Sequence, residues 1–194
     1  MNWYKTDDKN NEKWNEHATA TRVKNIIKFQ EESHKYKLKK WKYNKIISEH
    51  CEFLSDEKYY KNNNHGIMMD IALIYSSSVL KDNIQKKIYL EKAIYRIKTA
   101  LYRDFSRMGV HLENSPEYHK LVLILFKDLN EALTRHNIKL DKEINLMITN
   151  AQKYKQIIIK PDLSYPLIGD TGLFYEHSMK KYIMILWIMK QALL

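Results

Sequence analysis

Gly109-Val110-His111-Leu112-Glu113-Asn114-Ser115-Pro116-Glu117-Tyr118-His119 is a loop that turns into a helix. Ser115 is a good N-cap, Pro116 suits the first helical position, and Glu117 puts an acid in the first turn. Working outward, the chain has only four glycines and three prolines. Gly109 and Pro116 are here, and Gly66 closes the earlier stretch Asn62-Asn63-Asn64-His65-Gly66. Pro161, Pro166, Gly169 and Gly172 lie between Lys160 and Gly172. Special-backbone residues are thus confined to three loops, and the intervening sequence reads as helix. Two of these loops crowd in His, Asn and Tyr, which suggests a site. The competing reading is that Gly and Pro simply end helices.

The apolar spacing predicts helices over about Asn15–Glu32, Lys35–Ser55, Gly66–Leu80, Asn83–Phe105, a fifth from Ser115-Pro116-Glu117 to about His136, and a sixth over Asp141–Ile158. The third is apolar nearly all round apart from Asp70 and the serines 76 to 78, so burial on most sides is expected. The fourth shows a candidate core stripe at Ile84, Ile88, Ile94, Ile97 and Leu101. A last helix is expected near the C-terminus. The expected fold is all-α, antiparallel helix pairs forming an incomplete α/α toroid. If the helices alternate in direction, all three loops emerge at one end. Residues 1–13 read as an irregular segment, 14–172 as the main domain, and 173–194 as a C-terminal helix of unclear origin.

The chain has 194 residues, 44% of them apolar, enough for a real core. Its formal net charge of +10 suits a polyanion: nucleic acid, an acidic glycan or an anionic surface. Lys35, Lys37, Lys39, Lys40, Lys42 and Lys45 around Tyr36, Trp41 and Tyr43 could meet nucleic acid. An exposed helix whose lysines cover apolar surface is the preferred reading, and no nucleic-acid partner is expected. Cys51, the single cysteine, excludes an internal disulfide and reads as a small buried hydrophobe. Met1 is followed by polar residues, so no signal peptide is expected. Tyr182 to Met189 is too short for a membrane span, which needs roughly 20 apolar residues.

Asn64-His65-Gly66, then Gly109 through His119, then Leu167-Ile168-Gly169-Asp170-Thr171 resemble, in order and spacing, the helical domain of the heparinase II/III-like polysaccharide lyases. Trp14 through Arg22 resembles an upstream motif of that family, and the similarity covers about residues 10 to 172. The resemblance implies an α/α-toroid and cleavage of uronic-acid polysaccharide, heparin- or heparan-sulfate-like, by β-elimination. Members are often periplasmic or secreted. The chemistry needs the uronate carboxylate neutralised, because the C5 proton is barely acidic and an enediolate develops when it leaves. It also needs a base at C5 and an acid at the glycosidic oxygen.

By resemblance, the catalytic residues are Asn64, His65 and Tyr118. Asn64 would hydrogen-bond the substrate carboxyl group. His65 would do the same, or serve as base for one C5 epimer. Tyr118 would donate a proton to the leaving oxygen and, for some substrates, take the C5 proton. Arg103, Arg107 and His119 are candidates for placing positive charge near Tyr118, while His111 and Glu113 could position it or bind sugar hydroxyls. His17 and Asp170 stand between substrate contact and structural hydrogen bond. No cofactor is implied. His65, His111 and His119 could meet around zinc, but no HExxH-type spacing supports a metal.

The sequence also departs from the family. The β-sandwich domain that follows the toroid in the family, and supplies a further histidine, is not found after Thr171, so a partner chain supplying it is one expectation. Several relatives carry a charged, substrate-contacting residue three positions after the histidine, where this chain has Met68. The expected function is therefore a lyase domain of weakened or lost activity, with non-catalytic acidic-glycan binding as the alternative.

Overall fold

The computed structural model describes residues 14–36 and 43–176. The expectations for residues 1–13, for Lys37 to Lys42 and for 177–194 lie outside this described part. Six helices carry the described chain: α1 (Glu16–Lys35), α2 (Asn44–Ser55), α3 (Asn64–Ser77), α4 (Asn83–Asp104), α5 (Pro116–Thr134) and α6 (Lys142–Ile158). No strand is present among the described residues, only two isolated bridges. The fold is all-α, as expected. No helix among the described residues is long and apolar enough to cross a membrane.

Two boundaries differ from the sequence reading. Helix α1 runs three residues beyond Glu32, to Lys35, and α2 starts only at Asn44. Asn64 and His65, read as loop, lie in the first turn of α3, because Asn63 takes the cap and its Oδ1 accepts the His65 N–H at 2.9 Å. The helix therefore begins on the residues of interest rather than after them.

The chain divides into two compact units. The first comprises residues up to Arg103 together with Leu125–Leu140. Helix α3 is its centre, buried nearly all round, and α1 and α2 pack on it. Val23 and Ile27 from α1, Ile47, Cys51 and Leu54 from α2, and Ile67, Ile71 and Ile74 from α3 form a closed apolar core. Cys51 is a buried small hydrophobe, and burial pushes its thiol up to about 12. Trp14 is core as well, its ring 4.9 Å from His50 and 5.6 Å from Phe53.

The α4 stripe needs correcting. Ile84 and Ile88 are 73% and 53% exposed. Ile97 and Leu101 are buried as expected, and the rest of the buried face is Tyr89, Ala93, Arg96 and Ala100. Arg96 can be buried because it meets Asp70 of α3 at 3.4 Å, the Leu54 and Ser55 carbonyls, and the face of Tyr60 at 4.1 Å. The Tyr60 hydroxyl donates to Asp70 at 2.9 Å. Burial raises the Asp70 carboxyl to about 8, with Arg96 and Tyr60 pulling the other way. This network pins the residues leading into α3. Gly66 is required there, since a Cβ would overlap the Lys61 carbonyl oxygen.

The second unit comprises Asp104–Ile124 and the residues from Asp141 onward. Phe105, Val122, Ile144, Met147, Ala151 and Tyr165 are its buried centre. Gly109 takes φ +78°, and a Cβ on it would run into the Ala151 backbone, so α6 approaches the second loop as only glycine allows. Tyr165 stacks on Phe174 at 4.3 Å and donates to Glu176, which also receives Lys120 at 3.5 Å and Lys155 at 3.0 Å.

Candidate functional site

The first unit carries Asn64, His65, His17 and Arg103. The α3 N-terminus presents Asn64 and His65, both half-buried, where backbone N–H groups lack intrahelical partners. His65 Nδ1 lies 3.0 Å from Glu16 Oε1 of α1. A carboxylate only accepts, so Nδ1 carries the proton. The His17 ring stacks beside His65 at 5.8 Å. Burial pushes the Glu16 carboxyl up, but the His65 hydrogen bond, its own backbone and Lys61 outweigh it, and the net shift is down. Glu16 is therefore an anion at neutral pH. Arg103 of α4 donates to Asn62 Oδ1 at 3.1 Å, so a guanidinium stands beside the Asn62–His65 turn. The unit thus gathers imidazoles, amides and a guanidinium at one helix start, a set suited to a carboxylate.

Sequence reading missed Glu16 and Asn62 as members of this cluster. Glu16 is adjacent to His17 in the Trp14–Arg22 motif, but nothing in its spacing points 49 residues along the chain to His65.

The second unit carries Arg107, His111, Glu113, Tyr118, His119 and Asp170. Tyr118 and His119 stand in the first turn of α5, as expected. Ser115 Oγ accepts the Tyr118 N–H at 3.4 Å and meets Thr171 Oγ1 at 2.9 Å. Glu117 Oε2 accepts the Gly172 N–H at 3.1 Å. Gly169, at φ +58°, lies so close to Asn114 that a Cβ would come within 2.7 Å of its carbonyl oxygen. The second and third loops are thus laced together.

The two histidines of this unit are less open than the sequence implied. His111 is 6% exposed and His119 2%. His119 Nε2 donates to the Ala151 carbonyl at 2.9 Å, which commits that nitrogen to holding α6. His111 packs on Phe105, ring centres 4.9 Å apart, and its Nδ1 is 3.9 Å from Glu113, too far for a hydrogen bond. Burial pushes both imidazoles down, so both are neutral at pH 7. They line a cavity of about 150 Å³ together with Ser115, Tyr154, Pro166 and Ile168. Burial, with Asp104 and Asp170 adding negative charge, raises the exposed Glu113 carboxyl. Asp170 and Arg107 are exposed, and the Arg107 carbonyl accepts from Asn150 Nδ2 at 3.2 Å. Among the described residues, no group of three or more His, Cys, Asp or Glu side chains could hold a metal ion.

A family model described as the heparinase II/III N-terminus matches residues 3–189. No curated protein and no solved structure matches the chain. The match spans both units and every motif on which the resemblance was read. The chain therefore belongs to the heparinase II/III N-terminus family.

Proposed function

We propose that this chain is the helical domain of a polysaccharide lyase that acts on uronic-acid-containing acidic polysaccharide by β-elimination. The observation that carries the reading is the cluster at the start of α3: Asn64 and His65 beside the Arg103–Asn62 pair, on a chain of net charge +10. An amide and a guanidinium at a helix N-terminus stabilise a carboxylate whose charge grows as the C5 proton leaves. His65 is the base candidate. Tyr118, in the first turn of α5, is assigned proton donation to the leaving glycosidic oxygen, the role its family motif implies. Elimination then breaks the C4–O bond and leaves a C4–C5 double bond at the new non-reducing end. A β-sandwich of the kind that follows this domain in the family, on a partner chain, would add its own histidine.

The test is turnover. Incubation with heparosan, heparan sulfate, hyaluronan or alginate should raise the ultraviolet absorbance of an unsaturated uronate. Tyr118→Phe should lower that rate by about 100-fold or more, the usual worth of a positioned proton donor. Unchanged activity in Tyr118→Phe removes the role assigned to that residue. A second reading, glycan binding without cleavage, is favoured by Met68, which puts an uncharged thioether where the family's lyases carry a charged contact. It predicts salt-sensitive binding and no unsaturated product.

A further inference from the structure

We propose that Glu16 is a positioning residue for His65, holding the ring with Nδ1–H on its own carboxylate and leaving Nε2 as the nitrogen that meets substrate. This rests on the lyase reading above and decides between the two roles that His65 could play in it.

Three contacts fix the imidazole. The His65 backbone N–H is held by Asn63 Oδ1 at 2.9 Å, Nδ1 is held by Glu16 Oε1 at 3.0 Å, and the His17 ring stacks at 5.8 Å with only 28° between the planes. Nε2 has no partner among the described residues. Free histidine prefers the proton on Nε2, but here the carboxylate requires it on Nδ1. The consequence is chemical. A neutral His65 offers a lone pair at Nε2, which cannot donate to the substrate carboxylate, so it serves as the base at C5, and Asn64 and Arg103 are left to hold the uronate carboxyl group. When Nε2 takes the C5 proton, the imidazolium that forms sits against the Glu16 anion, which stabilises it without accepting the proton itself. The carboxylate thus acts through the histidine. The charged or titratable groups facing the pair are His17 from α1, Lys61 from the loop before α3, and Arg103 from α4 through Asn62.

The experiment is nitrogen-15 imidazole spectroscopy on the full chain, with His65 assigned by its loss in His65→Gln. In the wild type, neutral His65 should show a protonated Nδ1 and a bare Nε2. Glu16→Ala should return it to the Nε2–H form. Glu16→Gln, which keeps an acceptor but no charge, should retain the Nδ1–H form. In turnover, Glu16→Ala should lower kcat about tenfold or more at unchanged KM. A wild-type His65 protonated on Nε2, or an Nδ1–H form that persists unchanged in Glu16→Ala, overturns the assignment. The spectroscopic readout needs no substrate. A chain that shows the predicted tautomer but cleaves no polyuronide sinks the lyase reading alone. One that cleaves them and is unaffected by Glu16→Ala sinks the positioning role alone.

Discussion

At the scale of single residues, the histidines divide by what holds their second nitrogen. His65 spends Nδ1 on the carboxylate of Glu16, while His119 spends Nε2 on a backbone carbonyl. His50 is wholly structural: Nδ1–H donates to the Ile46 carbonyl at 2.7 Å, and Trp14 covers the ring. Burial pushes His50 down to about 4. The unfolded chain protonates it near its ordinary value, so its contribution to stability is full above that value and is lost as pH falls towards about 4. Between pH 7 and pH 5 the loss from His50 alone should be on the order of 2 kcal/mol, read as a lower urea midpoint. Burial also pushes His111 and His119 down, so their contribution has the same sign. His50→Gln should be less stable at pH 7 but should lose less on acidification. Asn64, His65 and Tyr118 were singled out by the family resemblance of their motifs, not by residue type alone. The sequence could not name Glu16, whose partner lies 49 residues away, nor show that His111 and His119 are buried.

At the scale of elements, helix order was legible from the apolar spacing; glycine and proline mark the α4–α5 link and the segment after α6, while Gly66 lies inside α3. What misled was weight. The α4 stripe was read from isoleucines, whereas the buried face uses Ala93, Ala100 and Arg96 at equally helical spacing. Alanines allow close helix approach, and a buried arginine depends on partners, Glu57 at 2.7 Å and Asp70 at 3.4 Å, that only the tertiary fold delivers. The same logic predicts unequal glycines. Gly109→Ala should cost about 2 kcal/mol or more, since its positive φ and the Ala151 backbone both oppose a side chain. Gly172→Ala meets nothing closer than Glu117 Oε2 at 3.7 Å and should stay within about 0.5 kcal/mol of wild type. Thermal unfolding of the two variants side by side is the check. Asn63→Ala removes the α3 cap and should cost about 1 kcal/mol while loosening Asn64 and His65.

At the scale of the whole molecule, net charge and family membership carry the argument. A chain of +10 that binds a polyuronide releases counterions, so affinity should fall steeply as salt rises. Titration at low and high ionic strength reads this directly, and binding indifferent to salt would leave the basic surface without a role. All-α architecture was legible from composition. The division into two units was not, because α5 gives its first half to one unit and its second half to the other, and no break in the sequence marks that point. The most direct test of the central claim is turnover on a panel of polyuronides, followed by ultraviolet absorbance and mass analysis of the products. The account predicts oligosaccharides ending in an unsaturated uronate, formed about 100-fold or more slowly by Tyr118→Phe. Polyuronides that bind the chain and are recovered intact from it would contradict that claim.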